Sequence, residues 1–415
     1  MVLSSARFGN DEFVPILLGT GVNAYNIARC LHEVHGIRSL ALGRAALRET
    51  AGSRIIETRA FRDFNEPSEI VRILNEVAAE FPAKKLLLLA TIEFYTNVVI
   101  DHRAKLDERY IVPLVDRELA DRLINKTAFY RTCEELGIPH PRTAVLTPKD
   151  RGDDSVGQAF DFAYPVILKP SNTDIYPRLH FEGKQKVYLL DDAAAVRAVA
   201  EKIWAAGYDD DLIVQEYIEG GEEVMRVANT YSDRHGRMRF ASVGQVVLAD
   251  HDPSMVGNNN AILSVADAPL AESLQKLVDA VGYVGTANFD VMFDRRDGVS
   301  KVLELNLRQG ATSYYARAAG GNIVECFVDD WIREVEPEFV VTTDERLWLN
   351  LPYFFARWYA PKSLKARVRA AHKAGWKHTL WYRPDMSVSR IITVLRIDLR
   401  YSLSTIKYQR RALND

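Results

Sequence analysis

Between residues 10 and 120 the chain alternates short apolar runs with helical patterns. FVPILL leads into a glycine turn, GTGVNA, and then an amphipathic stretch ending near HEV; SLALGR and KKLLLLAT follow, with a helical pattern over 68–81 between them. Strands separated by helices are joined by crossovers, and crossovers make their strands parallel. Apolar runs without alternation belong to strands covered on both faces. This region therefore reads as a doubly wound α/β domain over residues 1–120.

The pattern then changes. DRELADRLINKTAFYRTCEELGIPHP is helical and stops at Gly137 and Pro139. Strands follow at RTAVL, YPVILKP, KVYLL and DLIVQEYI, with a helix over 193–206. EEVMRVANTYSD and MRFASVGQVVLA form a long antiparallel pair, and TANFDVMFD and KVLELNL a second, joined by RRDGVS. The middle of the chain is α+β, divided as 121–214 and 215–335. From 336 to 415 the sequence is a basic, aromatic and helical extension in which Arg357, Lys362, Lys365, Arg367, Arg369, Lys373 and Lys377 interleave with Trp358, Trp376 and Trp381.

At 415 residues the chain needs more than one core. A net charge of -3 gives no nucleic-acid signal, and Cys30, Cys133 and Cys326 form no CxxC pair. They read as free thiols of a reducing compartment. No apolar leader follows Met1, and LLLLA is far too short to span a bilayer. The expectation is a cytoplasmic protein.

The chemistry lies in the polar interruptions of apolar strands. In KVLELNLR, Glu304, Asn306 and Arg308 alternate with Leu303, Leu305 and Leu307, so the polar three share one face. On the preceding strand Asp290 and Asp294 share a face. Such a set is either a wet sheet surface or an all-oxygen ligand group of the kind Mg²⁺ takes. Lys169 ends the apolar strand VILKP, and Lys126 opens a helix. Either alone reads as a solvated side chain; together with an oxygen-ligand cluster they read as two cations reaching a polyphosphate. IVQEYIEGGEEV sets a strand end before a glycine pair with acids on both sides.

The order of lysine, KP lysine, QEYIEGGEE, FD and LELNLR resembles the ATP-grasp superfamily over about residues 10–330. The resemblance implies a preATP-grasp domain followed by an ATP-grasp fold of two α+β subdomains, with ATP and two Mg²⁺ ions as cofactors. It implies that Lys126 and Lys169 contact the nucleotide phosphates. The chain at Glu216, Tyr217 and Ile218 holds adenine, and Glu223, or failing it Glu222, holds the ribose. Asp290, Glu304 and Asn306 hold the metal. Arg308 faces the transferred phosphate, so that Arg308 and Lys169 form the catalytic pair. The loop SNTDIYPRLHFEGKQK would cover the phosphates, with Lys184 among its cations, and MVGNNNAIL would be a second active-site loop.

In length, lid loop, GNNNAIL and C-terminal extension the chain is similar to the D-aspartate ligase type of carboxylate–amine ligase. That type joins an amino acid to an amine, here an acceptor such as a peptidoglycan precursor. The basic tail would then suit a peripheral membrane contact, a fold back onto the catalytic domains or an oligomer interface. Two alternatives stay open at this level. GTGVNA fits a loose dinucleotide fingerprint, with Arg44 placed for a 2′-phosphate, as in an NADP oxidoreductase. A non-catalytic nucleotide-binding relative is the other.

Overall fold

The computed structural model describes residues 8–412 apart from 159, 173, 174, 254 and 256. Thr173 and Asp174 of the expected lid loop and Val256 of the second loop therefore lie outside the described residues. The chain forms two compact units. Unit 1 comprises 1–117, 222–289 and 306–415, and unit 2 comprises 118–221 and 290–305.

Unit 1 opens with a five-stranded parallel sheet in the order Ile56–Ala60, Ser39–Gly43, Phe13–Leu18, Lys85–Ala90, Tyr110–Ile111. Period two sends its side chains to two cores. Phe13 and Leu17 pack with Ala24, Ile27 and Leu31 of the helix Val22–His35. Val14, Ile16 and Leu18 pack with Ile70, Ile73 and Leu74 of the helix Pro67–Glu80. Both faces are thus covered, as the unbroken apolar runs require. In the GTGVNA turn, Gly19 has φ of 120°, and a Cβ there would lie 2.1 Å from Thr91 Oγ1. This glycine is demanded by packing between adjacent parallel strands, without any bound dinucleotide.

The second sheet runs Val299–Asn306, Gly285–Asp294, Met225–Ser232, Met238–Ala249, Asn259–Val265, Leu347–Leu349, Trp376–His378, with Val340–Val341 beside Met238–Ala249. The expected antiparallel pair is there, Arg226 opposite Gln245 and Thr230 opposite Ala241. Two expectations need correction. NNNAIL is mainly strand, Asn259–Val265, buried along its whole length. With both faces covered, its asparagines had no alternation to betray them. The C-terminal extension is also only partly helical, because Leu347–Leu349 pairs with Leu263 to Ala261 and completes the sheet. Three-residue strands are too short to show a period.

That extension is bound to the first sheet's loops by buried charge. Asp385 accepts from Tyr25 Oη at 2.7 Å, Ser53 Oγ at 2.9 Å and Arg54 N at 2.5 Å. Arg390 Nε meets the same carboxylate at 3.2 Å, and neither side chain is exposed. The remaining guanidinium nitrogens donate to the carbonyls of Arg48, Glu49 and Ala51. Arg29 likewise donates to the carbonyls of His378, Thr379 and Trp381.

Unit 2 holds a four-stranded antiparallel sheet in the order Thr143–Leu146, Leu212–Glu216, Val166–Pro170, Tyr188–Leu190. Its core sets Val166, Leu168 and Val214 against Val196, Ala200 and Ile203 of the helix Ala193–Ala205. The helix Lys126–Glu135 and the segment 290–305 belong to the same unit. Among the described residues no helix is long and apolar enough to cross a membrane. The three cysteines are free and buried.

Candidate active site

Val166 and Leu168 enter the core of unit 2, so Lys169 falls on the other face of its strand. Its Nζ donates to Tyr130 Oη at 2.9 Å. Tyr130 stands one turn into the helix Lys126–Glu135, and its hydroxyl reaches the Leu303 carbonyl and, at 3.3 Å, Gln215 Oε1. Lys126 is the first residue of that helix, after the N-cap Asn125, whose side chain accepts from Ala128 N. A cation in a first turn opposes the helix dipole, so both the lysine and the helix end favour a nearby anion.

That anion is Glu304, whose Oε2 accepts from Lys126 Nζ at 2.8 Å. Glu304 is in turn in hydrogen-bonding contact with Asp290. Two lysines and two carboxylates therefore meet on one side of unit 2. Burial pushes the Lys169 ammonium down to about 7, Lys126 adds to the effect, and Glu304 only partly opposes it. Burial is the largest single influence on Glu304 and acts to raise it, but the charge of Lys126, the hydrogen bonds with Asp290 and Lys126 and the charge of Lys169 together hold the carboxyl below its usual range. Facing carboxylates repel unless a proton or a cation lies between them, and hard divalent ions suit oxygen pairs of this kind. Among the described residues no group of three His, Cys, Asp or Glu could hold a metal alone. An ion at Asp290 and Glu304 would thus need amide, water or phosphate oxygens as well, the ligand set Mg²⁺ ordinarily keeps.

Other expected residues are placed differently from one another. Glu216 ends the strand Leu212–Glu216 and is buried, but its carboxylate is already engaged. It accepts from Lys301 Nζ at 2.9 Å and Arg296 Nη2 at 3.1 Å. Lys301 and Arg296 also bind Asp294, which is 1% exposed. Asp294 therefore belongs to a buried ion cluster, apart from Asp290 and Glu304. The Glu216 backbone N–H is taken by Arg142 O at 2.9 Å, while Tyr217 and Ile218 lie beyond the strand end. Lys184 donates to Pro177 O and Leu179 O at 2.9 and 2.6 Å, so it braces its own loop. The loop cation whose charge bears on Lys169 is Lys186.

Asn306, Arg308 and Glu223 belong to unit 1. The strand Val299–Asn306 stops before Arg308, so Arg308 sits in a bend and leaves the alternation that grouped it with Glu304. Glu222 accepts from Ala249 N at 2.9 Å and pairs with His251 at 3.1 Å. Sequence reasoning missed an amide cluster beside Asn306. Asn306 Nδ2 reaches Asn288 O at 3.5 Å, and Asn229 Oδ1 accepts from Gly310 N at 3.1 Å. Asn23, from the GTGVNA turn, donates to Gln309 O at 2.9 Å and Thr91 O at 2.8 Å. These contacts span up to 286 residues of sequence, so no local pattern could reveal them.

No family model matches the chain. It is 32% identical over 395 residues to the D-aspartate ligase of Enterococcus faecium (strain Aus0004), a match covering 92% of this chain and 93% of that one. The chain belongs to the D-aspartate ligase family. It is an ATP-grasp enzyme, an ATP-dependent carboxylate–amine ligase that forms a C–N bond. A D-alanine–D-alanine ligase of Xanthomonas axonopodis pv. citri is 28% identical over 184 residues, 43% of this chain and 54% of that one. In fold, the chain resembles the N5-carboxyaminoimidazole synthetase of Staphylococcus aureus. The TM-score is 0.58 at 12% identity, over 84% of this chain and 85% of the other. With the ligase family established, the dinucleotide reading of GTGVNA is superseded.

Proposed function

We propose that the chain activates the carboxylate of D-aspartate with ATP and passes the acyl group to an amine, the acceptor being a peptidoglycan precursor. The observation that carries this reading is the cluster of Lys126, Lys169, Asp290 and Glu304. Lys126 and Lys169 would bind the nucleotide phosphates, Tyr217 and Ile218 would line adenine with the Glu216 backbone, and Glu223 would take the ribose. Asp290, Glu304 and Asn306 would hold two Mg²⁺ ions, which neutralise phosphate charge when bound. Lys186, more than Lys184, is suited to the phosphate side of the lid.

A carboxylate oxygen attacks the γ-phosphorus, ADP leaves, and an acyl-phosphate forms. The amine nitrogen then attacks the acyl carbon, phosphate departs with the C–O bond electrons, and the nitrogen loses its proton. Arg308 would steady the phosphoryl oxygens through both steps. The chain contributes position and charge compensation more than covalent chemistry.

The depressed Lys169 gives a pH test. Its folded pKa is below the unfolded value, so between about pH 7 and 10 the folded chain binds fewer protons than the unfolded one. Stability from this group rises across that window and is lower below it. Polyphosphate beside the amine restores the ammonium, so nucleotide binding at about pH 8 should take up close to one proton. Calorimetry in buffers of different ionisation enthalpy measures this uptake, and Lys169→Met should remove it. Unchanged uptake in that variant would take Lys169 out of the phosphate site.

The activity itself is tested by phosphate release from ATP and Mg²⁺ with a panel of D- and L-amino acids, with and without a muropeptide amine. Release confined to D-aspartate and increased by the amine is expected. Release with another acid would keep the ligase and replace the substrate.

A further inference from the structure

The helix Val388–Ala412 is inside out for a helix packed on a water-soluble core. Its inward side contains Val394 and Ile397, but also Arg390, Asp398, Ser402, Thr405 and Gln409, all buried. Its outward side carries Val388, Ile392, Leu395, Leu399 and Leu403, exposed by 78, 45, 53, 59 and 58%. At 3.6 residues per turn these five fall within an arc of roughly 80° and form a ridge about 22 Å long. Leucines placed outward while hydroxyls and an amide are placed inward point to an apolar partner outside the chain.

The charges beside the ridge identify the partner. Arg396, Arg400 and Lys407 are exposed and lie along one edge of it. The helix has a single acid, Asp398, and this is buried and accepts from Trp381 Nε1 at 2.8 Å. A second copy of the helix packed antiparallel would set that basic edge against itself, and a parallel copy would offer no exposed acid to meet it. An anionic bilayer surface supplies both an apolar interior and negative headgroups. The same unit also exposes Phe354 and Trp358, at 61 and 64%, around a cleft of about 720 Å³ lined by Arg357, Lys365 and Arg369. Aromatic rings with arginine and lysine beside them suit the headgroup layer.

We infer that the helix Val388–Ala412 lies flat on an anionic membrane, with Val388, Ile392, Leu395, Leu399 and Leu403 inserted and Arg396, Arg400 and Lys407 on the lipid phosphates. The inference deepens the proposed wall-precursor reading by naming the surface on which the enzyme works, yet its test uses neither ATP nor an amine. The full chain is floated with phosphatidylcholine vesicles and with vesicles containing about 30% phosphatidylglycerol. Binding to the anionic vesicles only, weakened by salt, is expected. L395Q/L399Q should reduce that binding at least about tenfold, and R396E/R400E should abolish the preference for anionic lipid. Both pairs are exposed and outside the candidate active site, so amino-acid-dependent phosphate release without vesicles should stay at the parental rate. Equal binding to both vesicles, no binding, or unaltered binding by L395Q/L399Q would overturn the inference. So would a parental dimer that L395Q/L399Q turns into a monomer in sedimentation velocity, since the ridge would then be a self-association surface.

Discussion

Glu304→Gln is expected to lower amino-acid-dependent ADP formation by about a thousandfold, with the fold intact. Lys126 Nζ lies 2.8 Å from this carboxylate, and Asp290 is in contact with it. The amide keeps the shape and can still accept from Lys126, so packing and hydrogen bonding are preserved. What disappears is one negative charge of the facing pair, and with it the reason for a divalent ion to reside there. Losing a preorganised charge at a phosphoryl-transfer site commonly costs 10²–10³ in rate, and loss of the ion adds to this. Steady-state kinetics over a Mg²⁺ titration is the measurement. A rate within about tenfold of the parent, at any Mg²⁺ level, would remove Glu304 from the metal site. Glu216→Gln is the matching control, because that carboxylate serves Lys301 and Arg296. It should lower the melting temperature while sparing turnover of the remaining folded enzyme.

Asp385→Asn should destabilise unit 1 by about 3–5 kcal/mol, read as a shift of the urea midpoint at unchanged slope. The carboxylate takes four hydrogen bonds, from Tyr25, Ser53, Arg54 and Arg390, with the arginine side chain fully buried beside it. Without the carboxylate charge the guanidinium keeps the carbonyls of Arg48, Glu49 and Ala51 and the Tyr25 ring, but it remains a buried cation with no counter-charge. The double variant D385L/R390M removes both charges and should recover much of the loss, since apolar groups can replace a buried pair at little cost. A midpoint for Asp385→Asn within about 0.5 kcal/mol of the parent would mean that the pair contributes little, and the extension could be an accessory after all.

The legible part of the site was the part with a local period. Lys169 stood out because VILKP is apolar around it, and strand alternation forced it to the opposite face from Val166 and Leu168. Asp290 and Glu304 were readable as a pair because the short turn at 295–298 joins their strands. Alternation groups Arg308 with Glu304 only if the strand continues, and the strand ends at Asn306. The engagement of Glu216 was hidden by distance, its partner Lys301 being 85 residues away. Lys184 and Lys186 are indistinguishable in a loop without period, and only the folded loop sets Lys184 on its own carbonyls. In the fold, three strands of the parallel sheet were signalled by their apolar runs, whereas the polar Ile56–Ala60 and the two-residue Tyr110–Ile111 were not. The three short C-terminal strands carried no signal at all.

Unit 1 is built from three stretches of chain, and its anchor between Asp385 and Tyr25 joins residues 360 positions apart. During synthesis the parallel sheet emerges from the ribosome long before the salt link that anchors its loops. Unit 2 ends at residue 305 and can close before residues 306–415 have been added. The nascent N-terminal sheet must therefore wait with Tyr25 and Ser53 unpartnered by Asp385 until residues 385–390 are made. A ribosome stalled before residue 385 should hold a protease-resistant unit 2 beside a still-digestible N-terminal half. For this chain, early termination would cost far more than the loss of a tail.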